Sequence, residues 1–208
     1  MRTEIDIASW NRKLHYEHFM RLKDPSFAIT IPVDVTVAYK RAKARNVSFF
    51  AKYLHDCIKA INAVDNFRYR IEDGKVYDYK TIHASATIMR EDKTYGFSFI
   101  DYDEDLNNFF NNLNEEKDRI LSSNDLYPPV NGLDCIHCSA IPWVPFSGHK
   151  EPQSGELESV PGLAFAKVEE INGRQIMNVA INVNHALVDG YHVGLFFEKF
   201  QNNLNSLE

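Results

Sequence analysis

In the C-terminal segment from residue 174, the spacing of the apolar residues changes once, from every second position to the spacing of a helix. This change constrains the fold more than any other feature of the sequence. In RQIMNVAINVNH, apolar residues from Met177 to Val183 alternate with more polar ones, which predicts a strand with one buried face. After NHALVDG the apolar residues recur at helical spacing, as Val193, Phe196, Phe197, Phe200 and Leu204. The segment is therefore a strand, a tight turn and an amphipathic helix.

Strands and helices alternate irregularly along the rest of the chain. The pattern predicts helices over 7–22 with Ser9 as N-cap, 37–46 after Thr36, 49–64 after Ser48, and 105–123. It predicts strands over 27–35, 83–92, 95–103, 135–144 and 162–170, and hairpin turns at Asp73-Gly74 and Asn172-Gly173. Such an order favours a two-layer α/β sandwich with a mixed β-sheet, in one domain over residues 1–208.

Charge and composition exclude several classes of function. The chain of 208 residues carries a net charge of −6, which argues against a nucleic-acid binder. It begins without the apolar run of a signal peptide, and no stretch reaches the ~18 apolar residues that cross a membrane, so we expect a cytoplasmic protein. Cys57, Cys135 and Cys138 are expected to be reduced. Cys135 and Cys138 have no second pair of ligands for structural zinc, so no metal is expected.

The turn after the last strand carries the candidate chemistry. Period two places His185 on the face of the apolar residues before it, which should desolvate the ring and keep it neutral near pH 7. A neutral imidazole can act as a general base. Asp189 can cap the following helix, and Gly190 tolerates a tight turn. The same residues also fit a helix cap beside a core histidine, and the pattern alone leaves both interpretations open.

Three segments resemble the chloramphenicol acetyltransferase family. The first is His185-x-x-x-Asp189-Gly190, which the catalytic domains of dihydrolipoyl acyltransferases and the condensation domains of peptide synthetases also carry. The second is IDIASWNRKLHYEHF, with Trp-x-Arg followed by His-aromatic-Glu, and the third is SAIPWVPF. Condensation domains are much longer than this chain, and the lipoyl domains of the dihydrolipoyl enzymes are absent here. The order and spacing of the three segments favour the chloramphenicol acetyltransferases.

This resemblance implies a fold, a reaction and an assembly. It implies that His185 takes the proton from an acceptor hydroxyl, which attacks the thioester of acetyl-CoA, and that the Ser139 hydroxyl stabilises the oxyanion. It implies an ion pair between Asp189 and Arg12 that orients the histidine turn. The family forms trimers with each site between subunits, so a homotrimer that uses no metal is expected. Less closely, Phe19 and Phe97 match acceptor-pocket positions, and Lys167 matches a lysine near the CoA phosphates.

The chain departs from the family on the acceptor side. Asn184 stands where many members have a second histidine, and Ala164 replaces a threonine. After Trp143, a polar stretch over 147–162 replaces the apolar segment that helps to wall the family's chloramphenicol pocket. Residues 146–159 are the best candidate for a mobile loop, and the sequence leaves open whether the loop over 147–162 closes over the site. The acceptor is therefore chloramphenicol or another hydroxyl compound. A non-catalytic trimeric binding protein and an acyltransferase for carrier-bound acyl groups are the alternatives.

Overall fold

The computed structural model describes residues 1–152 and 158–206. The strands in these ranges are β1 (Arg2–Ile5), β2 (Ser26–Asp34), β3 (Tyr69–Glu72), β4 (Lys75–Tyr79), β5 (His83–Met89), β6 (Tyr95–Phe97), β7 (Cys135–Ile141), β8 (Gly162–Ile171) and β9 (Arg174–Asn184). The helices are α1 (Lys13–Phe19), α2 (Thr36–Ala44), α3 (Phe49–Asn62), α4 (Leu106–Ser122) and α5 (Gly190–Asn205), with a short 3₁₀ turn at Asp65–Arg68.

The main sheet is mixed, as the sequence predicts. Its six strands lie in the order β2-β9-β8-β7-β5-β6. The pairs β5–β7 and β7–β8 are parallel, whereas β5–β6, β8–β9 and β9–β2 are antiparallel. A smaller antiparallel sheet, β1-β4-β3, is built around the hairpin at Asp73-Gly74. Both predicted hairpin turns have two consecutive residues with positive φ, which suits their glycines.

One face of the main sheet forms the core with the helices. The side chains predicted to face inward from β9, from Met177 to Val183, are buried, and so is the predicted apolar face of α5. Helices α3 and α5 pack against each other in this layer. The Ser48 hydroxyl accepts a hydrogen bond from the Ala51 N–H and caps α3, which confirms that N-cap.

Three local predictions were wrong, each because a side chain found a different partner. Helix α1 begins at Lys13 and not near Ser9, since the Ser9 hydroxyl bonds Asp6 within a preceding turn. The carboxylate that accepts the Thr36 N–H belongs to Asp34, while the Thr36 hydroxyl accepts from the Gln175 N–H instead of capping α2. The strand predicted over 95–103 is reduced to β6. Beyond it, the Ser98 hydroxyl bonds the Ala86 carbonyl and leaves only an isolated bridge at Ile100.

A fully buried arginine joins the small sheet to the main one. The Arg70 guanidinium donates to the carbonyl oxygens of Leu133 and Cys135 at the start of β7, and to those of Phe67 and Tyr69 beside β3. Burial lowers the pKa of Arg70 to about 10. Four carbonyl partners compensate for the desolvation of this charge, so the contact holds the two sheets at a fixed position.

Candidate active site

An ion pair ties the turn after β9 to the start of α1. Both terminal nitrogens of Arg12 donate to the Asp189 carboxylate, with Nη2 3.0 Å from Oδ1, and Nη2 also reaches the carbonyl oxygen of His185 at 3.4 Å. The Arg12 hydrogen bond holds the pKa of Asp189 below its usual range. The structure thus brings Arg12, Asp189 and His185 together, and the guanidinium fixes the backbone of the histidine as well as the carboxylate.

The His185 ring is held by two aromatic side chains. It stacks on Phe19 with ring centroids 4.0 Å apart and an interplanar angle of 7°, and Phe27 contacts it at 4.6 Å. Its Nδ1 is buried 3.3 Å from Oδ1 of Asp189 and has no hydrogen-bond partner among the described residues. The side chain as a whole is 34% exposed, so the accessible area lies on the rest of the ring.

A second histidine, His192, lies two residues beyond the motif and caps the last helix. Asp189 is the N-cap residue of α5, and its backbone N–H donates to Nδ1 of His192 at 2.9 Å. An accepting Nδ1 carries no proton, and burial lowers the pKa of His192 in agreement with that role. Its place in the cap gives His192 a structural role.

Ser139 lies in a cavity of about 690 Å³ on the sheet face that carries small and polar side chains. The floor of this first cavity includes Ser85, His137, Gly162 and Asn182, which lie side by side on β5, β7, β8 and β9. Ser139 is two residues beyond His137 on β7 and pairs with Ala164. Phe97 lines the same cavity and stacks on Tyr127, whereas Phe19 lies against His185.

A second cavity of about 670 Å³ approaches the same strand from the helix side. Its lining is mainly apolar and includes Phe49 and Phe50 of α3 and Phe110 of α4. The two cavities share four residues, namely Thr87, Met89, Ala140 and Trp143. They therefore lie on either side of Ala140, the residue after Ser139, and Ser139 itself lines only the first cavity.

Lys167 lines neither of these cavities. It is exposed on β8 at a register irregularity, and its N–H donates to the Val144 carbonyl oxygen at 3.1 Å. Its neighbours Ala166 and Val168 do line the second cavity. The lysine is therefore near the outer edge of that cavity.

Ser139 and His185 of one chain lie far apart. Ser139 pairs with Ala164, which pairs with Ala180, and His185 follows Ala180 by five residues. At roughly 3.4 Å per residue along a strand and about 4.8 Å between strands, the two residues are about 19 Å apart. One chain by itself does not bring them to the same substrate.

Sequence reasoning missed the histidine and glutamate side chains that line the first cavity, namely His137, His149, Glu151 and Glu158. Burial lowers the pKa of His137 and raises that of Glu151. Three of the four, all but His137, belong to the polar stretch after Trp143. The charged and polar composition of that stretch was the one sequence feature that could have indicated them. Part of the mobile loop predicted over 146–159, residues 153–157, lies outside the described ranges.

The described ranges hold neither a cluster of metal ligands nor a membrane-spanning helix. Within 1–152 and 158–206, no group of three His, Cys, Asp or Glu side chains is arranged to hold a metal ion. The three cysteines are buried and unpaired with one another. No helix in the part of the chain that the structure describes has the length and apolar character to cross a membrane.

Comparisons with known proteins agree with these features. The chloramphenicol acetyltransferase family model matches residues 1–201. A chloramphenicol acetyltransferase of Escherichia coli is 26% identical over 203 residues, 96% of this chain and 92% of the relative. Chloramphenicol acetyltransferase 3 of Escherichia coli is 25% identical over 207 residues, 98% of this chain and 97% of the relative.

Solved structures give the same result. A chloramphenicol acetyltransferase superposes with a TM-score of 0.89 at 31% identity, over 98% of this chain and 100% of the other. A probable dihydrolipoamide acetyltransferase from Listeria monocytogenes, 15% identical with a TM-score of 0.66 over 99% of this chain and 96% of its own, shares the fold. The chain belongs to the chloramphenicol acetyltransferase family of CoA-dependent O-acetyltransferases.

Proposed function

We propose that the protein transfers the acetyl group of acetyl-CoA to a hydroxyl group of chloramphenicol or a similar acceptor, with His185 as general base and Ser139 as oxyanion donor. The observation that carries this proposal is that two large cavities share lining residues next to Ser139, which itself lines the first of them. One cavity is apolar and suits the pantetheine arm of CoA, and the other suits a polar acceptor. A direct transfer needs both substrates to reach one point.

The proposed reaction has one proton to move at the start. The acceptor oxygen attacks the thioester carbonyl carbon while His185 takes the hydroxyl proton. The carbonyl oxygen becomes an oxyanion, and the Ser139 hydroxyl donates a hydrogen bond to it. The C–S bond then breaks, and the proton on His185 returns to the CoA thiolate. Removing one oxyanion donor typically costs about 3 kcal/mol of barrier.

The surroundings of His185 support its role as the base. Its buried Nδ1 faces the Asp189 carboxylate, and the stack on Phe19 fixes the plane of the ring. The remaining nitrogen, Nε2, is the one free to take the proton. Asp189 is already paired with Arg12, so it orients the ring and stabilises the imidazolium that forms without itself taking the proton.

We further propose that the working protein is a homotrimer with each active site between two chains. The separation of Ser139 and His185 within one chain supports this, because His185 of one copy then serves Ser139 of its neighbour. A ring with head-to-tail contacts gives every chain the same pair of neighbours and closes after three copies. The use of acetyl-CoA as co-substrate fits a cytoplasmic location. In the proposed complex, Lys167 lies near the CoA phosphates.

The first test is release of free thiol from acetyl-CoA, with and without chloramphenicol, by wild type and by His185→Ala. Chloramphenicol-dependent release that disappears in the variant supports the proposal. Release with other hydroxyl compounds but not with chloramphenicol keeps the reaction and changes the acceptor. Binding of acetyl-CoA with no release from any acceptor contradicts the proposal and supports a binding protein.

Mixed oligomers test whether the site lies between chains. Ser139→Ala and His185→Ala are each expected to be inactive, and they are unfolded together and refolded as a mixture. At equal amounts, about a quarter of the sites join an intact His185 to a neighbour's intact Ser139, so about a quarter of wild-type activity returns. If both residues acted within one chain, every site would keep one defect and no activity would return.

A further inference from the structure

Neutral polar side chains form a row across the floor of the first cavity. Ser85 of β5 pairs with His137 of β7. Through Gly162 of β8, the row continues to Asn182 of β9. Residues that pair directly across strands point to the same face of a sheet, and all four line the cavity. The side chains of Ser85, His137 and Asn182, called the polar row below, can therefore contact one bound molecule.

The polar row has no hydrogen-bond partner within the chain. Among residues 1–152 and 158–206, the Ser85 hydroxyl, the His137 ring and the Asn182 side-chain amide form no hydrogen bond and no ion pair. Ser85 is only 6% exposed, and it borders the cavity. Polar groups that are buried so deeply are nearly always hydrogen-bonded. The partner of this hydroxyl therefore has to come from what fills the cavity.

Every group in the polar row is neutral and can both donate and accept a hydrogen bond. A serine hydroxyl and an asparagine amide have both functions. The His137 ring is accessible from the cavity, but burial among protein atoms lowers its pKa, so it is neutral and has one donor and one acceptor nitrogen. A hydroxyl group also donates and accepts, whereas a carboxylate only accepts and an ammonium group only donates. The row therefore suits hydroxyl groups better than ions.

The charged residues around the cavity do not change this character. Glu151 lies over Gly162, with its Cγ 2.8 Å from the position that a Cβ there would occupy, and its Oε1 is 3.5 Å from Nδ1 of His149. These two side chains thus face each other. Glu158 is likewise not free, and Lys93 lies beyond the end of β5. The polar row therefore offers open hydrogen bonds and no charge.

The polar row lies beside the proposed oxyanion donor. Ser139 is two residues beyond His137 on β7, about 7 Å along the strand, and Ser85 is one strand spacing of about 4.8 Å from His137. Asn182 is two strand spacings away on the other side, about 10 Å. A ring that carries several hydroxyl groups covers this area. The largely exposed Trp143 lines the same cavity and provides apolar surface for the C–H face of such a ring.

We propose that the acceptor is a neutral polyhydroxyl compound of the size of a hexose, whose hydroxyl groups bind Ser85, His137 and Asn182 while a further hydroxyl lies next to Ser139 and receives the acetyl group. This inference rests on the proposed acetyl transfer and names its substrate class. The bonds that form and break are those of that reaction. An acceptor that placed an aryl or alkyl group over the polar row would leave buried donors and acceptors unpaired, which is the costly arrangement.

The test compares acceptors of one ring size with and without ring hydroxyls. The methyl glycosides of glucose, galactose and mannose carry a primary hydroxyl and several secondary ones, whereas cyclohexylmethanol carries the primary hydroxyl alone. Thiol release from acetyl-CoA gives kcat/KM for each compound and for chloramphenicol. In the wild type, we expect at least one glycoside to exceed both other compounds by about tenfold or more, since each hydrogen bond contributes severalfold. A higher kcat/KM for cyclohexylmethanol or chloramphenicol than for every glycoside overturns the inference.

Ser85→Ala and Asn182→Leu each remove the polar group of one side chain with little change in size. Each should raise the KM of the preferred glycoside about tenfold, with the KM for acetyl-CoA unchanged. Asn111→Leu is the matched control, because Asn111 is exposed on α4 and lines neither cavity, and it should keep the wild-type KM. A glycoside KM that stays at the wild-type value in Ser85→Ala or in Asn182→Leu overturns the inference.

Direct binding separates this inference from the proposed reaction. Calorimetric titration with the same glycosides, cyclohexylmethanol and chloramphenicol measures their affinities even if no acetyl group is transferred. Tighter binding of a glycoside that is weakened about tenfold in Ser85→Ala and in Asn182→Leu supports the polyhydroxyl acceptor, whatever the outcome of the thiol assay. If no glycoside binds more tightly than cyclohexylmethanol, the inference is overturned, even where His185-dependent transfer to chloramphenicol is observed.

Discussion

Replacing Asp189 by Asn removes one charge from the pair that holds the histidine turn. The Asp189 side chain is 30% exposed and that of Arg12 is 11% exposed, so the pair lies between a surface ion pair and a buried one. Asparagine keeps the size and one acceptor oxygen but cannot match both guanidinium nitrogens. The Arg12 charge would then remain largely buried with only a neutral partner.

The magnitude follows from that intermediate burial. Exposed pairs contribute about 0–1 kcal/mol, and breaking a fully buried pair costs about 3–5 kcal/mol. We expect Asp189→Asn to lower the free energy of unfolding by about 2 kcal/mol. Arg12 also holds the His185 carbonyl, so the imidazole should lose its position, and kcat should fall about 10- to 100-fold.

The contribution of Asp189 to the free energy of unfolding changes with pH in a defined direction. The pKa of Asp189 is lowered in the folded protein, so its contribution to stability is present above its unfolded pKa of about 3.9. The contribution is lost as the pH falls through the lower folded value. The difference in stability between wild type and Asp189→Asn should therefore be constant from neutral pH down to about pH 5 and shrink below about pH 4.

Urea unfolding at several pH values and thiol release at pH 7 measure these effects. Glu4→Gln is the matched control, because Glu4 forms an exposed pair with Lys75 and should change stability by less than about 0.5 kcal/mol. A folded Asp189→Asn protein with wild-type kcat and wild-type stability would refute the role assigned to the ion pair.

Four further predictions address single residues. Ser139→Ala should lower kcat about 100-fold with little change in the KM of either substrate, as measured by thiol release. Phe19→Leu should lower kcat about fivefold by freeing the His185 ring, while acetyl-CoA affinity in calorimetry stays constant. Arg70→Met should leave four carbonyl groups without their donor and lower the free energy of unfolding in urea by about 3 kcal/mol. Ser48→Ala should lower it by about 1 kcal/mol through loss of the α3 cap, and an unchanged midpoint would contradict that cap.

Periodicity predicted the parts of the fold whose residues face one uniform environment. The inward side chains of β9 and α5 alternate or recur regularly because a continuous core lies against them, and the mixed sheet followed from the order of such segments. Strand β1 was missed, since its four residues are exposed or half-buried and carry no hydrophobic alternation. The cap expected at Ser9 failed because a local bond to Asp6 competes with the helix.

The candidate site also has parts that the sequence identified and parts that it could not. The family resemblance selected Arg12, His185 and Asp189, and the structure brings these three together because they lie on one turn and the segment docked on it. The distance between Ser139 and His185 depends on strand order and register, which no local pattern contains. The position of Glu151 in the first cavity likewise depends on its contact with Gly162, which joins a loop to a strand.

The two cavities beside Ser139 have a kinetic consequence. They are walled by different segments, one by the stretch after Trp143 and the other by α3 and α4. With one substrate in each cavity, as proposed above, either substrate would enter or leave while the other stays bound, and no acetyl-enzyme would have to form. Initial rates measured over a grid of both substrate concentrations should give intersecting double-reciprocal lines, as in a random-order mechanism, and not the parallel lines of a ping-pong scheme.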